Sequence, residues 1–456
     1  MSSFLLILNI AAISGFSLFF LILGVSSYVE KEHRAVAITC IFFIFNILFW
    51  LQFIFRGEAP FTRALNLFIL AGLGLFGIIS LLRFFPASPL ARNMKTACQY
   101  DERDNMFARN NLRKYPDLMD QYFKMHPKRE SIDRQIHKKP EFGDPKQFYH
   151  DPYASPCFLA AFEYMERTIP ASDGKPAIEK SSIDPEKFSE TIKEIVHFYG
   201  GTDTGIVALE PYHFYSHKGR HGHHWGDKTD QTHKTAIVII IPMRVGMLKK
   251  APTNCVIQES AQKYVEGAKI SNVLAAYIRN FGYQARAHND ANYDTLCVPL
   301  AVDAGLGELG RMGIFMHRTH GPCVRLAVVT TELVLPPSTP FHDPSMAAFC
   351  KICKKCADNC PSGSIANGEE PESRGFHHWS IDQEKCFSYW KTIGSDCGFC
   401  IACCPYTKPN TLFHKLVRFY ISRNSLNQQI ALFMDDLLYG RQMKIPKTNP
   451  KQIFKS

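Results

Sequence analysis

Uninterrupted apolar stretches dominate the first 82 residues of the chain. Residues 4–28, 35–55 and 64–82 contain no Asp, Glu, Lys or Arg and are rich in Leu, Ile and Phe. A helix rises 1.5 Å per residue, so about 20 residues cross the roughly 30 Å hydrocarbon core of a membrane. The pattern therefore predicts three transmembrane helices. A signal peptide is disfavoured, because no basic segment precedes the first stretch and two more stretches follow at once.

The basic residues around these stretches predict their orientation. The N-terminus carries no Lys or Arg, the first loop carries Lys31 and Arg34, and the second carries Arg56 and Arg63. A larger group follows the third stretch: Arg83, Arg92, Lys95, Arg103, Arg109, Arg113 and Lys114. Because cytoplasmic flanks are enriched in Lys and Arg, we expect a three-pass protein of the cell inner membrane with its large catalytic domain in the cytoplasm.

Charged residues outside the apolar stretches suggest few specific partners. Glu30, Glu32 and Glu58 lie at the membrane edges, where a carboxylate could serve a quinol's protons but interfacial solvation is favoured. The net charge of +10 is spread through residues 92–150 and 405–455 without a compact basic block. This distribution favours a solvated or membrane-adjacent surface, so membrane lipid is an expected partner and nucleic acid is not.

From about residue 155 the pattern becomes that of a globular domain. Short apolar runs predict strands at three places: 204–209, 234–242 and 325–331. Longer periodic segments predict helices at 189–199 and 258–281, and one helix or a helical pair at 411–438. Strands that alternate with helices predict the α/β fold class.

These patterns divide the chain into five predicted parts. Residues 1–88 form a three-helix membrane anchor, and residues 89–155 form a polar, extended linker that wraps over the body. The remaining parts are an α/β catalytic body at 156–340, a ferredoxin-like module with two clusters at 341–410, and a C-terminal helical segment at 411–456.

Eight cysteines near the C-terminus carry the strongest chemical signal. They form two sets that each end in Cys-Pro: Cys350, Cys353, Cys356 and Cys360, then Cys386, Cys397, Cys400 and Cys404. The first set has the C-x2-C-x2-C-x3-C-P spacing of bacterial ferredoxins, whose fourth cysteine binds the other cluster. Zinc sites usually show two separate C-x2-C pairs. Two 4Fe–4S clusters are therefore favoured over zinc or disulfides.

The crossing of each Cys-Pro ligand assigns the cysteines to the clusters. One cluster takes Cys350, Cys353, Cys356 and Cys404, and the other takes Cys360, Cys386, Cys397 and Cys400. Cys403 could replace Cys404 only by breaking the Cys-Pro pattern. The other seven cysteines show no pairing pattern, so we interpret them as free thiols in a reducing compartment.

Two further patterns each have competing interpretations. Gly305, Gly307 and Gly310 spell G-x-G-x-x-G, but Gly313 and Gly321 leave no room for the helix that a dinucleotide site requires. These glycines are instead expected to let the backbone approach a bulky flat ligand. The histidines of a polar loop lack regular metal-ligand spacing: His213, His217, His221, His223, His224 and His233. A solvated loop is favoured over a metal site, and one histidine could hydrogen-bond a cofactor tail.

An ordered combination of motifs resembles the reductive dehalogenases over about residues 98–440. The motifs lie at 101–109, 282–285, 289–290, 298–311, 321–326, 349–363, 386–390 and 397–400. The resemblance implies a cobalamin-type corrinoid bound base-off in a nitroreductase-like α/β body, with two 4Fe–4S clusters feeding it. Members of this family mostly carry a twin-arginine signal and pair with a separate three-helix membrane protein. This chain carries three helices of its own, so it is expected to fuse anchor and catalytic subunit and to require no separate anchor.

The resemblance also implies roles for individual residues. Tyr264 matches the family's proton donor, Asn289 its substrate-side asparagine, and Arg325 its neighbouring cation, with Arg311 as the rival for that last role. The candidate corrinoid-binding residues are Gly305, Gly307, Gly310 and Arg311. A guanidinium about 5 Å from a phenol, at an effective dielectric constant of about 20, contributes about 3 kcal/mol toward phenolate. We therefore expect a lowered pKa for Tyr264.

The sequence thus predicts an oxidoreductase that replaces a halogen of a small organohalide by hydrogen. Its electron donor would be a membrane quinol or another low-potential reductant. One alternative is an epoxyqueuosine reductase, which acts on tRNA with the same cofactors but is soluble and uses an acidic proton donor. The other is a non-catalytic iron–sulfur subunit of a membrane redox complex, which would not need an α/β body with a ligand cleft.

Overall fold

The computed structural model describes residues 3–56, 59–83, 98–290, 292–339, 343–373 and 376–455. The chain forms two compact units. The first consists of Met1–Ser88, Pro344–Cys353 and Pro409–Met443, and the second of Pro89–Asp343, Lys354–Lys408 and Lys444–Ser456. These units cut across the five parts that the sequence predicts, because one cysteine-bearing helix groups with the apolar N-terminal helices.

Helices make up most of the described secondary structure. In chain order they are α1 Ser3–Val29, α2 His33–Arg56, α3 Pro60–Leu81, α4 Met106–Asn111, α5 Pro116–Met125, α6 Pro127–His137, α7 Ser155–Thr168, α8 Pro185–Phe198, α9 Val245–Leu248, α10 Asn254–Asn280, α11 Cys297–Asp303, α12 Pro344–Cys353, α13 Lys355–Asp358, α14 Gln383–Ile393, α15 Phe399–Ala402, α16 Leu412–Ile421 and α17 Ser425–Tyr439.

The strands are fewer and shorter. They are β1 Asp203–Ala208, β2 Thr235–Pro242, β3 Ala285–His288, β4 Gly307–Leu309, β5 Phe315–His317, β6 Val324–Thr331, β7 Glu372–Ser373 and β8 Phe376–His377.

Three helices of the first unit are long and apolar enough to cross a membrane. These segments are Phe4–Val29, His33–Phe55 and Pro60–Leu81. Large apolar side chains such as Phe45, Phe61 and Phe68 are more than half exposed on them, as expected of surfaces that face lipid. The three helices predicted from the apolar pattern are therefore confirmed as helices of spanning length.

The C-terminal helices α16 and α17 cap this helical bundle. The side-chain amide of Asn424 donates to the carbonyls of Ile79 and Leu82 at 3.1 Å each, and that of Asn427 donates to the carbonyl of Ser80 at 2.9 Å. These carbonyls lie at the C-terminal end of α3, where few backbone N–H groups remain to pair with them; that of Ile79 also accepts from the N–H of Leu82 at 3.1 Å. The amide of Gln428 donates to the carbonyl of Ser345 at 2.8 Å, which fixes α12 to α17.

A four-stranded sheet in the order β1-β2-β6-β3 forms the core of the second unit. Helices separate β2, β3 and β6 along the chain, no α-helix lies between β1 and β2, and all three pairings are antiparallel. Helices cover both faces of the sheet, in agreement with the α/β prediction. The apolar run of β2 pairs over its full length with β6, from Thr235 opposite Thr331 to Pro242 opposite Val324. Both strands are central, so both faces are covered and alternation of polar residues is lost.

Each face of the sheet has its own apolar cluster. On one face, Ile237, Ile239 and Ile241 pack with residues of α8 and α10 such as Ile192 and Leu274. On the other, alternate residues of β2 pack with residues of α11 and the β4–β5 hairpin: Val238, Ile240, Leu300 and Phe315. Each fully buried aliphatic side chain contributes about 1.5–3 kcal/mol of transfer free energy. The body is therefore held together by the central pair of strands.

The prediction of an extended linker at 89–155 is wrong for its described part, residues 98–155. Helices α4, α5 and α6 occupy this segment, and α5 and α6 each begin with a proline that is pre-organised for the first turn. Small apolar clusters bury Leu112, Tyr122 and Phe123. The many charges conceal this periodicity, because each helix buries only a narrow apolar stripe.

The G-x-G-x-x-G segment forms a tight hairpin. β4 and β5 pair from Gly307 opposite His317 to Leu309 opposite Phe315, and no helix is assigned anywhere in 311–322, as the sequence predicts. A Cβ atom on Gly307 would lie 2.1 Å from the carbonyl oxygen of Met316, and one on Gly310 would lie 2.7 Å from that side chain. Close packing within the hairpin by itself accounts for these two glycines.

Gly307→Ala is expected to destabilise the second unit by about 1–3 kcal/mol or more, because the added methyl overlaps a backbone oxygen that cannot rotate away. Thermal unfolding of the purified chain in detergent measures the effect. Gly368→Ala is the matched control, since no atom lies within 4 Å of its added Cβ. Equal unfolding temperatures for the two variants would contradict the hairpin explanation.

Candidate functional site

Helix α10 and strand β6 bring Tyr264 and Arg325 together. Gly267 lets the helix approach the sheet closely, since a Cβ at this position would lie 3.0 Å from Cδ1 of Ile241. The guanidinium carbon of Arg325 lies 5.1 Å from the centroid of the Tyr264 ring. This is the geometry of a cation–π contact. The pairing of Tyr264 with Arg325 expected from the family motifs is thus present in the fold.

Two residues that the sequence analysis missed hold this guanidinium in place. Ser260 precedes Tyr264 by one turn of α10, and its Oγ accepts a 2.6 Å hydrogen bond from Nη2 of Arg325. The same Nη2 lies 3.4 Å from Oδ2 of Asp396. Asp396 directly precedes Cys397 in the chain, so one carboxylate connects the cysteine loop to the cation. Its position beside a predicted cluster ligand was the only sequence signal that could have identified it.

The surroundings of Tyr264 raise its pKa, whereas the sequence analysis predicts a lowered pKa. Burial raises the pKa of Tyr264 to about 12, and the opposing influence of Arg325 is smaller. Asp290 and Asp396 add to the rise. The expectation of a lowered pKa is therefore wrong, because burial destabilises the phenolate by more than the Arg325 guanidinium stabilises it. Tyr264 is a neutral phenol at physiological pH.

The charges around Arg325 are strongly coupled. Burial alone would lower the pKa of Arg325, but Tyr264 and Asp396 outweigh it and the net shift is upward. Burial raises the pKa of Asp396, with partial relief from Arg325 and from a hydrogen bond to Ser260. A buried cation without a partner is costly, so Asp396 and Ser260 are what keep Arg325 stable beside the phenol.

Asn289 lies directly after β3 and is 1% exposed. Its side-chain nitrogen is within 3.4 Å of Ser271 and of Asn272. Its Oδ1 has no hydrogen-bond partner among the described residues, and neither does Nε of Arg325. Buried polar atoms of native proteins are rarely left unpaired. Orphaned groups on β3 and β6 are therefore the pattern expected of a site that receives a ligand.

A cavity of about 450 Å³ lies in the same unit. Tyr293 lines it, and the phenols of Tyr293 and Tyr264 are near enough that Tyr264 adds to the upward shift in the pKa of Tyr293. Its other lining residues include Lys218, Arg220 and Arg286. Sequence reasoning gave no role to these residues, because they are brought together from segments far apart in the chain.

The histidine-rich loop is only partly the solvated loop that was predicted. His221, His223 and His224 line the same cavity. His213 is fully buried, and its Nε2 lies 2.9 Å from Oδ2 of Asp303. The interpretation as a solvated loop is therefore wrong for His213, because a carboxylate from α11 gives the buried ring a partner. No described group of three or more His, Cys, Asp or Glu residues could hold a single metal ion.

Four of the predicted cluster ligands lie together in the second unit. Burial raises the pKa of Cys386 and of Cys397 to about 12 each, and Cys360 is near enough to add to both shifts. Burial also raises the pKa of Cys400, and Cys386 and Cys397 add to that rise. The backbone N–H of Ser364 donates to Sγ of Cys360 at 3.3 Å. Hydrogen bonds from N–H groups to sulfur are a feature that tunes iron–sulfur clusters, so this cysteine set fits such a group.

The backbone of this loop is itself unusual. Cys397 has φ of 56° and is followed by Gly398 with φ of 67°. A non-glycine residue in this region costs roughly 1–2 kcal/mol and is found where the surrounding structure requires it. Here the conformation turns the chain between Asp396 and α15, so the carboxylate faces Arg325 while the following thiol lies near Cys360 and Cys386.

The other predicted set is divided between the two units. Cys350 and Cys353 lie on α12 of the first unit, and Cys356 and Cys404 belong to the second. Their assignment to one cluster stays a prediction. Cys403 directs its thiol toward the carbonyl of Cys400 at 3.5 Å, and whether it replaces Cys404 is likewise untested.

Arg311 is not placed beside the phenol of Tyr264. Its Nη1 donates to the carbonyls of Ala366 and Gly368 at 2.9 and 2.8 Å, and its guanidinium stacks 4.5 Å from the ring of Trp379. The geometry therefore favours Arg325 over Arg311 as the cation beside Tyr264. Contact of Arg311, Gly305, Gly307 and Gly310 with a corrinoid stays a prediction.

Comparison with known proteins now bears on this arrangement. Residues 349–408 match the family described as "4Fe-4S dicluster domain". A tetrachloroethene reductive dehalogenase of Sulfurospirillum multivorans is 36% identical over 222 residues, which are 47% of this chain and 44% of that protein. The enzyme of the same name from Desulfitobacterium hafniense is 32% identical over 197 residues, 41% of this chain and 35% of that protein.

Nearly half of this chain is thus similar in sequence to tetrachloroethene reductive dehalogenases. The alignments cover less than half the length of these curated relatives. An epoxyqueuosine reductase of Francisella cf. novicida matches a shorter stretch, 33% identical over 110 residues, or 24% of this chain and 26% of that protein.

The fold agrees with this sequence similarity. The catabolic reductive dehalogenase NpRdhA, solved in complex with 3-bromo-4-hydroxybenzoic acid, superposes with a TM-score of 0.63 and 23% identity. The match covers 80% of this chain and 51% of that chain. A reductive dehalogenase structure described in terms of B12-dependent dehalogenation gives a TM-score of 0.62 over the same share of this chain and 49% of that one. The chain therefore has the reductive dehalogenase fold.

Asp396→Asn is expected to lower the pKa of Tyr264, because the Asp396 carboxylate is one of the charges that raise it. At pH 11 the variant should then ionise a larger fraction of Tyr264 than the wild-type chain. Tyrosinate absorbance measures this, with each protein compared with its own Tyr264→Phe counterpart so that other tyrosines cancel. Asp382→Asn is the control, because it removes a carboxylate that is not among the causes of the shift at Tyr264 and keeps an oxygen that can cap α14. An unchanged fraction in Asp396→Asn would show that the carboxylate does not act on the phenol.

Proposed function

We propose that this chain is a membrane-anchored reductive dehalogenase that replaces a halogen of a small organohalide by hydrogen. The reaction consumes two electrons and one proton and releases a halide ion: R–X + 2e⁻ + H⁺ → R–H + X⁻. The observation that carries the proposal is the largely buried Arg325 guanidinium, which lies 5.1 Å from the Tyr264 ring and contacts Asp396, the residue before Cys397. A proton donor and an electron-carrying loop thereby meet at one place.

The residues present fit the cofactors that this reaction needs. Cys360, Cys386, Cys397 and Cys400 would hold one 4Fe–4S cluster, and Cys350, Cys353, Cys356 and Cys404 a second. Asn289, with its orphaned buried oxygen, would face a corrinoid-bound pocket, and Gly305, Gly307, Gly310 and Arg311 remain candidates to line it in a nitroreductase-like body. A corrinoid supplies a strongly reducing cobalt centre, and the clusters supply it with single electrons.

Tyr264 would deliver the proton from its Oη to the carbon that loses the halide. Its raised pKa keeps the phenol protonated until a strong base develops at that carbon. Arg325 then faces the phenolate left behind, and attraction between the two is strongest in a site from which water is excluded. Asp396 and Ser260 keep the guanidinium in position, so the donor is re-protonated without rearrangement of the site.

The Asp396–Cys397 peptide link supports a place for one cluster beside this pair. Cys397 directly follows the residue that contacts Arg325. The cluster of Cys360, Cys386, Cys397 and Cys400 would therefore lie near the phenol and the guanidinium.

Glu30 at the membrane edge supports a quinol as the electron donor. Its expected interfacial solvation is wrong: its side chain is 5% exposed, and Oε1 lies 2.7 Å from Nε2 of His414 on α16. Ser26 donates a further 2.9 Å hydrogen bond to the same oxygen. Glu58, the third edge carboxylate of the sequence prediction, lies outside the described residues. A buried carboxylate–imidazole pair at the end of α1 is a natural acceptor for the protons that quinol oxidation releases.

The membrane arrangement completes the proposal. Three spans would cross the cell inner membrane and leave the catalytic domain in the cytoplasm, with lipid as a partner and no separate anchor subunit required. The end of the α1–α3 bundle that contacts α16 and α17 carries several basic residues, as cytoplasmic flanks do. They support the cytoplasmic placement: Lys31, Arg34, Arg418, Arg423 and Arg441.

The alternatives are weaker. An epoxyqueuosine reductase uses an acidic proton donor, whereas the cation here faces a tyrosine, and the match to such an enzyme covers only 24% of this chain. A non-catalytic electron carrier has no need for a phenol and a guanidinium held in contact. Cobalt analysis of anaerobically purified protein separates the enzyme from the carrier.

Tyr264→Phe should retain the iron and cobalt content and the cluster spectra of the parent and lose most turnover, because phenylalanine has no proton to give. Halide release from aryl and alkyl halides, with a chemical reductant under anaerobic conditions, measures it. Tyr283→Phe is the matched control, since that hydroxyl donates only to the carbonyl of Ser181. Full activity in Tyr264→Phe would remove this residue from the mechanism.

Glu30→Gln should slow reduction of the clusters by a membrane quinol, because the amide cannot accept the released proton. Reduction by a soluble chemical reductant should be unchanged, since that electron path bypasses the membrane edge. Glu32→Gln is the control for a charge change in the same loop. Absorbance bleaching of the clusters measures both rates, and equal slowing with both reductants would assign Glu30 a purely structural role.

A further inference from the structure

Helix α16 presents an apolar face that is largely exposed. Leu412, Leu416 and Phe419 are 74%, 55% and 49% exposed, and their spacing of four and three residues places them on one side of the helix. Three exposed large apolar side chains in a row are unusual for a surface in contact with water. This face therefore needs a partner other than solvent.

The opposite side of α16 is fixed to the apolar helices of the same unit. Phe413 packs with Leu23 and Leu438, and its ring lies 6.2 Å from that of Phe19 on α1. His414, on the same side, forms the pair with Glu30. Arg423 follows the final turn of α16. Its Nε donates a 3.1 Å hydrogen bond to the carbonyl of Leu81, the last residue of α3.

These contacts place α16 at one defined level of the bundle. Glu30 and Leu81 mark the ends of α1 and α3, where both candidate spans finish. A helix bound to both ends lies across the bundle's end. Its exposed apolar face is therefore continuous with the lipid-facing surface of α1, on which Phe19 and Ile22 are also exposed.

Charge follows the pattern of a helix at a membrane surface. Lys415 is exposed beside the apolar face, and Arg418 lies on the next flank, one turn from His414. Arg423 stacks 4.6 Å from the ring of Phe419. The helix contains no Asp or Glu. Basic residues that flank an apolar face are typical of helices that lie in the interface of an anionic bilayer.

We propose that α16 lies in the plane of the membrane and inserts Leu412, Leu416 and Phe419 into the headgroup–acyl boundary. The occupant of this face is phospholipid, with Lys415 and the flanking arginines near anionic headgroups. The helix thus forms a fourth membrane contact and, through α17 and α12, holds Cys350 and Cys353 at a fixed depth relative to the lipid. This inference rests on the membrane anchoring proposed above and is independent of the reaction.

Tryptophan fluorescence in nanodiscs tests the position of α16. Leu416→Trp places a reporter on the apolar face, and Ile178→Trp, a fully exposed site of the second unit, is the matched control. Nanodiscs of phosphatidylcholine with phosphatidylglycerol are prepared with lipids brominated near the headgroup or near the chain end. Difference spectra against the parent chain isolate the added tryptophan, and Leu412→Trp repeats the test should the first variant not fold.

The added tryptophan of Leu416→Trp is expected to emit at a blue-shifted wavelength and to lose more intensity with bromine near the headgroup than near the chain end. The control should show neither effect. A water-like emission, or a blue shift that bromine does not quench, overturns the inference, and the latter result would indicate a second protein copy on this face. Trp50 on α2 reports on the anchor when its emission is isolated as the difference between the parent chain and Trp50→Phe. Quenching of Trp50 without quenching at position 416 would reject the in-plane helix alone, and absence of quenching at both positions would reject the anchoring as well.

Discussion

A buried positive charge that must be neutralised is the constraint on which the candidate site depends. Arg325 enters the body on a central strand, where an unpaired guanidinium would cost several kcal/mol. Ser260, Asp396 and the ring of Tyr264 supply its partners. A turn of α10 positions Ser260, the cysteine loop positions Asp396, and the close contact of α10 with the sheet positions Tyr264. The same interactions that make the charge tolerable also fix the phenol beside it.

Burial, and not the neighbouring charge, decides the protonation of Tyr264. The distance assumed from the sequence, about 5 Å, agrees with the 5.1 Å of the structure, and yet the net shift of the pKa is upward. A Coulomb calculation for the Tyr264–Arg325 pair includes the guanidinium, but it leaves out the loss of water around the phenol on folding. The result suits a donor that must keep its proton until the reacting carbon becomes basic, with the cation reserved for the phenolate that follows.

The first unit shows how ordinary packing links apolar helices of spanning length to a helix that carries cysteines. Amide side chains of Asn424 and Asn427 satisfy the last carbonyls of α3, and Gln428 reaches α12. Helix ends always leave such carbonyls unpaired, so they offer attachment points that do not disturb the apolar surfaces. Cys350 and Cys353 are therefore held by the same helix that caps the spans.

The sequence by itself determined the local features: three apolar helices of spanning length, the buried strands β2 and β6, and the cysteine spacing. These follow from periodicity and spacing, which are properties of short stretches. The pairing of Tyr264 with Arg325 was implied only by the resemblance to a known family. It misjudged residues 98–155, His213 and Glu30, whose environments depend on segments far away in the chain. Only the tertiary structure decided that Asp396 and Ser260 hold Arg325 and that the hairpin itself explains Gly307. Burial and long-range contacts decide how stable a buried charge is and whether a position must be glycine. Adjacent residues in the sequence reveal neither the burial nor the contacts.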